Sequence, residues 1–207
     1  MVITADRPEI AGTADLLTRA RAGESSAFCR LAAEHEGRLL QQACGLARDP
    51  SAAEDLVSET LVEAWRSLSR YNGACRFSTW LFSILLHRHQ KALRRARSRP
   101  IPLAALPSTE ADEWRQAQEN LPATGPSPAD EAMRREAADQ LRGVVAALPD
   151  KHQRVILLRF FEDASLPEIA VLLGCSVGTV KSRLHYALEK LREAQHGLNL
   201  SELRGDT

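Results

Sequence analysis

The sequence has few cysteines and no long apolar run, and each shortage excludes a class of protein. Its four cysteines are scattered over 207 residues without a C-x-x-C pair, which favours reduced thiols over a disulfide framework or a zinc site. The first twelve residues lack the apolar core of a signal peptide. No apolar run approaches the roughly 20 residues of a membrane span. We therefore expect a cytoplasmic protein with no membrane insertion.

Motifs of catalysis and metal binding are also missing. The chain contains no phosphate-binding glycine loop, no G-x-S-x-G and no H-E-x-x-H, so the common nucleotide-binding and hydrolytic enzymes are disfavoured. Cys29, His35 and Cys44 could meet on adjacent helical turns, but their spacing matches no common zinc pattern. The sequence predicts a protein that is not an enzyme and that holds no metal or cofactor.

The formal net charge is zero, yet the charges are unevenly distributed along the sequence. The 27 Lys and Arg residues balance 27 Asp and Glu residues. No acidic residue occurs between Ala64 and Thr109, and the basic residues of this stretch are Arg66, Arg70, Arg76, Arg88, Lys91, Arg94, Arg95, Arg97 and Arg99. The stretch that follows, Glu110–Glu131, is acidic. A basic block in a neutral chain is either a solvated face or a surface for a polyanion.

Helical periodicity dominates the N-terminal half, and the alternation typical of β-strands is absent. Apolar residues at helical spacing predict helices over Leu16–Gly23 and Ala27–Arg48. Asp49-Pro50 ends the second helix because proline disfavours a helical residue before it. Ser51 to Glu54 has the pattern of a capping box for a third helix.

The third and fourth predicted helices carry the most distinctive apolar residues of this half. The third places Leu56, Val57, Leu61, Ala64, Trp65 and Leu68 on one stripe. Ser78 is the predicted N-cap of the fourth, whose apolar side holds Trp80, Leu81, Ile84, Leu85 and Leu93. Trp80 is therefore better explained as a core residue than as a stacking platform.

A proline-rich, acidic segment separates two helical domains. Six of the ten prolines lie between Pro100 and Pro128, among few large apolar residues, and such a composition buries little core. Ser127-Pro128 then resembles an N-cap followed by proline at the first helical position. We predict an all-α chain with an N-terminal domain over residues 13–97, a linker over 98–127 and a C-terminal domain over 128–197.

The C-terminal domain contains the pattern of a helix-turn-helix. A first helix with Met133, Ala137, Leu141, Val144, Val145 and Leu148 on its apolar side ends at Pro149, and an apolar helix follows over His152–Phe161. Ser165 to Glu168 has the pattern of a capping box, and Gly174 supplies the left-handed turn that ends this short helix. Ser176 caps the last helix, predicted over Val177 to about Ala194.

The last helix has one buried and one exposed face. Residues predicted to be buried are Val177, Val180, Leu184, Ala187, Leu188 and Leu191. Small, polar and basic residues occupy the opposite face and its flanks, so they could enter a major groove and reach phosphates. An ordinary helical hairpin is the alternative, but slim residues at Gly178 and Ser182 favour close approach to a partner.

These motifs together resemble the bacterial sigma factors of RNA polymerase. The segment from Leu148 to Arg192, LPDKHQRVILLRFFEDASLPEIAVLLGCSVGTVKSRLHYALEKLR, resembles their promoter-binding domain. DPSAAEDLVSETLVEAW (Asp49–Trp65) resembles their polymerase-binding helix, and FSTWLFSI (Phe77–Ile84) their promoter-melting segment. The compact extracytoplasmic-function group is the nearest match, since nothing resembles the extra domains of housekeeping sigma factors.

The resemblance implies two DNA contacts and a polymerase contact. Core polymerase would be bound, through its β′ and β subunits, with the β′ coiled coil docking on Glu54, Asp55, Leu56, Glu59 and Trp65. The −10 promoter element would be bound through Arg76, Phe77, Trp80, His87, Arg88, Lys91, Arg94 and Arg95. The −35 element would be bound through Ser176, Gly178, Thr179, Lys181, Ser182, Arg183, His185 and Tyr186. An anti-sigma factor is expected as a further partner, and the acidic linker would thread the polymerase's RNA path.

Three positions depart from the family pattern. Where the family usually has Asn and, four residues later, Asp, this chain has His87 and Lys91, and Tyr186 stands where the family often has Arg. The family's base preferences therefore do not transfer to these positions. We hypothesise that His87 replaces the asparagine as a base-edge donor. The alternative function is a helix-turn-helix regulator with an N-terminal sensor domain, which leaves the Asp49–Trp65 motif unexplained.

Overall fold

A computed structural model describes residues 13–47, 49–98 and 128–202 of the chain. Over these ranges the protein contains helices and turns but no strand, which confirms the all-α prediction. The helices are α1 (Thr13–Arg21), α2 (Ser25–Leu46), α3 (Pro50–Ser67), a 3₁₀ turn (Leu68–Arg70), α4 (Phe77–Ser98), α5 (Pro128–Ala147), α6 (Asp150–Phe161), α7 (Leu166–Leu173) and α8 (Val177–Glu202). The described residues form two compact units, one ending at residue 98 and one beginning at residue 128. Apart from Ser98, the predicted linker lies outside them.

Helix α4 provides most of the large, fully buried side chains in the core of the first unit. It packs against α3 and α2, and its fully buried apolar residues are Phe77, Leu81, Phe82, Leu85 and Leu86. From the other helices, Leu31 and Ala43 of α2 and Ala53 of α3 are also inaccessible to solvent. The predicted apolar side was right for Leu81 and Leu85 and wrong for Leu93, which is exposed near the end of α4.

Both N-caps predicted in this unit, Ser51 and Ser78, were wrong. Helix α3 is capped by Asp49, whose carboxylate accepts a hydrogen bond from the Ala52 amide at 3.0 Å, and not by Ser51. Pro50 is the reason, because its fixed φ and missing N–H suit the first position of a helix. Helix α4 begins at Phe77, and the Trp80 amide already donates to the Arg76 carbonyl at 3.0 Å. Ser78 therefore lies inside α4 and is not its cap.

The second unit is a small bundle in which α8 packs against α5, α6 and α7. Its core residues include Val155 and Leu158 of α6, Ile169 of α7, and Val180 and Ala187 of α8. Val177 was predicted to be buried but is exposed, because it occupies the first turn of α8 before the helix reaches its neighbours. Helix α5 is also more exposed than predicted: Ala137 and Leu141 are exposed, and the buried Leu148 lies just after the helix ends. Helix α8 runs to Glu202, beyond its predicted end near Ala194.

The described residues contain neither a candidate membrane span nor a cluster of metal-ligating side chains. None of their helices combines the length and apolar character that crossing a bilayer requires. Within the same ranges, no group of three His, Cys, Asp or Glu side chains is placed to hold a metal ion. The ring of His35, weighed above as a metal ligand, packs against Phe77 with ring centroids 5.5 Å apart.

Candidate protein and nucleic-acid interfaces

Helix α3 has a buried side and an exposed acidic side. Asp55, Glu59, Val62 and Arg66 follow one another at helical spacing and are all exposed, with Glu54 beside them. Val62, which the sequence analysis had placed in no site, is 50% exposed. We call Glu54, Asp55, Glu59 and Val62 the α3 face. It offers carboxylates around one exposed aliphatic side chain.

Two residues expected to contact polymerase stand apart from the α3 face. Leu56 is only 7% exposed and lies in the core, next to buried Thr60, whose hydroxyl donates to the Leu56 carbonyl at 2.7 Å. Trp65 is 37% exposed, and its ring packs on Phe28 with centroids 5.1 Å apart. The structure thus leaves Trp65 at the edge of the face and places Leu56 beneath it.

Helix α4 has an exposed stripe that begins with an aromatic residue and ends with cations. Trp80, His87, Lys91 and Arg95 share the stripe at helical spacing; the last three are exposed. Trp80 is half-buried, so the interpretation of Trp80 as a core residue holds only in part, and the remaining side of its ring is accessible. Arg94 is exposed beside them. We call these five residues the α4 stripe. It could offer stacking at one end and phosphate neutralisation at the other.

An aromatic cluster supports the start of the α4 stripe. The Trp80 ring lies 5.2 Å from that of Tyr71 and 5.6 Å from that of Phe77. The Tyr71 hydroxyl donates to the Cys75 carbonyl at 2.7 Å, and the Arg21 guanidinium lies 5.5 Å from the Tyr71 ring centroid. Phe77, expected in the −10 surface, is 1% exposed. It can therefore support that surface but cannot present its own ring to a ligand.

Arg88 joins α4 to α3. Its guanidinium donates to the Glu59 carboxylate from two nitrogens, with Nε 3.0 Å from Oε2. The family resemblance implies different partners for these two residues, polymerase for Glu59 and DNA for Arg88. In the structure they neutralise one another, while Arg76, also expected in the −10 surface, is half-buried just before α4.

The predicted helix-turn-helix is formed by α7 and α8. The Ser165 hydroxyl accepts from the Glu168 amide at 3.4 Å, and the Glu168 carboxylate accepts from the Ser165 amide at 2.7 Å, so the predicted capping box is present. Gly174 has φ = +61° and ends α7 in the left-handed conformation. The Ser176 hydroxyl accepts from the Thr179 amide at 3.1 Å at the start of α8. These caps fix the direction in which α8 leaves the turn.

The exposed face of α8 contains most of the residues expected there. Ser176, Gly178, Lys181, Ser182, His185 and Tyr186 are exposed. Thr179 and Arg183 are half-buried, and the Arg183 guanidinium reaches Cys175 Sγ at 3.7 Å. An added Cβ at Gly178 would meet only Ser176 Oγ, at 3.7 Å. Packing within the described structure therefore does not require glycine at position 178, although a close external partner would.

The structure also reveals features that the sequence analysis did not identify. His152 of α6 packs its ring against Tyr186 of α8, with centroids 4.3 Å apart. Phe160, Phe161 and Val171 are large apolar residues exposed on the second unit. The run of apolar residues in α6 had suggested burial, and only the tertiary structure shows which of them face outward.

Comparison with known proteins places both units in one family. The family model described as Sigma-70 region 2 matches residues 31–99, and the one described as Sigma-70, region 4 matches residues 144–193. The ECF RNA polymerase sigma factor SigL of Mycobacterium tuberculosis is 33% identical over 185 residues, which cover 89% of this chain and 94% of SigL.

Solved structures show the same fold. CnrH, solved in complex with the cytosolic domain of CnrY, aligns with a TM-score of 0.55 at 24% identity, over 93% of this chain and 97% of CnrH. The sigma factor RpoE of Bartonella quintana, solved with the anti-sigma factor NepR, aligns with a TM-score of 0.51 at 21% identity, over 87% of this chain and 98% of RpoE. The chain belongs to the sigma-70 family of RNA polymerase sigma factors, in its extracytoplasmic-function (ECF) group.

Proposed function

We propose that this chain binds core RNA polymerase and directs transcription initiation at promoters that carry a −10 and a −35 element. One observation carries the proposal: a sigma-70 region 2 and a sigma-70 region 4 occur in one chain, in two separate compact units. The alternative, a conventional regulator with a sensor domain, explains the helix-turn-helix but not residues 31–99. We assign residues 13–97 and 128–197 to the two functional domains and residues 98–127 to the linker.

The α3 face is the proposed docking surface for the β′ subunit. The exposed carboxylates of Glu54 and Asp55 can pair with cations of the partner and steer the encounter, and Val62 and Trp65 supply apolar area to bury. Leu56 contributes by holding α3 against the core and not by touching polymerase. Contact with the β subunit is part of the proposal, without residues assigned to it.

The α4 stripe is the proposed −10 surface. Its cations can bind phosphates, while Trp80 on its aromatic support lies where an unstacked base could pack. The protein would supply no bond-breaking chemistry, so strand opening must come from binding energy: capture of an unstacked base offsets an unpairing cost of a few kcal/mol. His87 lies in the middle of the stripe, as the base-edge hypothesis requires.

The exposed face of α8 is the proposed −35 surface. Gly178 and Ser182 keep the helix slim where it would approach bases, and Lys181 lies beside them for a phosphate. We further propose an anti-sigma factor as a partner, since the α3 face and the α4 stripe are exposed and could be covered by one. The place of action would be the cytoplasm, where core polymerase meets DNA.

Transcription by purified core polymerase on a promoter library randomised over both elements tests this function. We expect the wild-type chain to make transcripts from a subset of sequences sharing two separated motifs. Asp55→Lys should lower core binding about tenfold, equivalent to ~1.4 kcal/mol. Glu36→Lys, the same charge change at an exposed position of α2, is the matched control and should bind core normally. DNA binding without any transcript from core polymerase would favour the regulator instead.

A further inference from the structure

Two aromatic rings from different helices meet at the edge of the α8 face. His152 lies in the first turn of α6 and Tyr186 in the middle of α8, and their rings are 4.3 Å apart with an interplanar angle of 37°. Tyr186 follows Ser182 by one helical turn and is 38% exposed. The phenol ring therefore has one side against His152 and an edge open to solvent, on the surface proposed to read the −35 element.

The ring contact restricts the orientation of the Tyr186 side chain. A tyrosine has only two side-chain torsions, so a ring packed on one side has few remaining orientations. His152 Nδ1 is buried and has no hydrogen-bond partner in the described part of the chain. The visible role of this imidazole is thus to provide a flat surface. Its burial, with Lys151 and Arg183 nearby, lowers its pKa below the ordinary 6.5, which favours the neutral form of the ring.

Two cations lie near the pair, and one of them is already paired. The Lys190 ammonium lies 5.9 Å from the Tyr186 ring centroid and donates to the Glu193 carboxylate at 2.7 Å, whereas Arg183 stands on the preceding turn of α8. Arg183 can attract a phosphate, while the phenol offers a hydroxyl that hydrogen-bonds a base edge and an apolar edge that suits a thymine methyl group. Tyr186 is thus equipped to discriminate among bases as well as to add affinity.

We propose that His152 is a positioning residue for Tyr186, and that the stacked pair sets base preference at one end of the −35 element. The proposal rests on the proposed function, because it assigns specificity within the −35 surface. This chain has tyrosine where the family often has arginine. The proposal explains how Tyr186 can still present its hydroxyl in one orientation on the −35 surface, because His152 of α6 packs against the other side of its ring. His152 itself need not touch DNA.

The experiment measures base preference at each −35 position, with the full chain, core polymerase and the library described above. Tyr186→Ala should lower the base preference about tenfold at one or two −35 positions and leave the preference at the other positions unchanged. His152→Ala should weaken the preference at the same positions by at least threefold. The double variant should match Tyr186→Ala alone, and His152→Phe, which keeps an aromatic ring, should restore the wild-type preference.

Lys151→Ala is the matched control, since it removes an exposed cation next to His152 but keeps both rings. Any loss of transcription in this variant should be the same for every −35 sequence. The positioning role would be wrong if His152→Ala kept the wild-type preference, or if it lowered all sequences uniformly together with the thermal midpoint. If the wild-type chain itself selected no −35 motif, the proposed function would fail instead, so the two failures are distinct.

Discussion

Two glycines of the helix-turn-helix are present for different physical reasons. Gly174 adopts φ = +61°, a conformation that costs residues with a side chain about 1–2 kcal/mol. Gly178 is helical, and a Cβ there would make only an ordinary contact with Ser176 Oγ at 3.7 Å. The first glycine therefore stabilises the fold, whereas the second weakens α8 and suits the proposed close approach by DNA.

Alanine at each position separates the two roles. Gly178→Ala should raise the free energy of unfolding by up to ~1 kcal/mol, because glycine is a poor helix former, yet it should weaken binding to −35 DNA several-fold. Gly174→Ala should lower the free energy of unfolding by about 1–2 kcal/mol. Urea unfolding and transcription from a selected promoter measure the two effects. If Gly178→Ala transcribed as well as the wild type, bases would not approach this residue closely.

His89 gives the first unit a dependence on pH. Burial lowers the pKa of this α4 imidazole below the ordinary value of 6.5. As pH falls through 6.5, His89 is protonated in the unfolded chain but stays neutral in the folded chain. The free energy of unfolding that is present above pH 6.5 is therefore lost on acidification. His89→Gln should flatten this part of the profile. Urea unfolding at pH 7.5, 6.5 and 5.5 in a Trp114→Phe background, where Trp65 and Trp80 report on the first unit, measures the difference. If the free energy of unfolding changed equally with pH with and without His89→Gln, His89 would not be the source of the pH dependence.

At the scale of elements, one ion pair links the proposed polymerase and −10 helices. Glu59 of α3 and Arg88 of α4 are 29 residues apart in sequence and share two hydrogen bonds. The Arg88 side chain is 21% exposed and that of Glu59 is 55% exposed, so water screens the pair only partly. We expect the pair to help set the packing of α4 on α3.

A double-mutant cycle measures that coupling. Glu59→Gln and Arg88→Gln should each destabilise the first unit slightly, and the double variant should lose less than their sum by about 0.2–1 kcal/mol. The exchange Glu59→Arg with Arg88→Glu should recover part of the stability. Strictly additive losses in urea unfolding would mean that the pair adds nothing to the packing of the two helices.

Local chemistry explains which elements could be predicted from the sequence. Ser165, Glu168 and Gly174 act on backbone groups within a few residues, so their roles could be inferred without tertiary structure. The start of α3 was misplaced because Asp49 and Ser51 are both good caps, and Pro50 decides between them. The helices that carry the candidate surfaces could be predicted, because apolar residues at helical spacing mark their buried sides.

Tertiary packing explains what could not be predicted. Leu56 and Phe77 belong to motifs that resemble functional segments, yet both are buried, and periodicity alone could not separate the residue that touches a partner from the one beneath it. The contact of His152 with Tyr186 joins residues 34 positions apart, on helices whose relative rotation is set by packing. Lone exposed residues such as Val62 leave no local signal at all.

At the scale of the whole molecule, each compact unit has its own buried core. Leu81 and Phe82 lie in the core of the first unit, and Leu158 and Ile169 in that of the second. The chain between the described ranges spans residues 99–127. Two proposed DNA surfaces on one chain make the second contact intramolecular, so promoter affinity depends on the connection as much as on either surface.

Cutting that connection should separate folding from function. A protease site inserted near residue 120 should leave the uncut protein active. After cleavage, each unit should keep its unfolding transition, because each has its own core, whereas transcription at limiting protein concentration should fall about 10²–10⁴-fold as the effective concentration is lost. Calorimetry before and after cleavage, with transcription on the same samples, makes the measurement. A chain with the same insertion but a scrambled, uncleavable site controls for protease exposure. Full activity after cleavage would show that one unit alone carries promoter recognition.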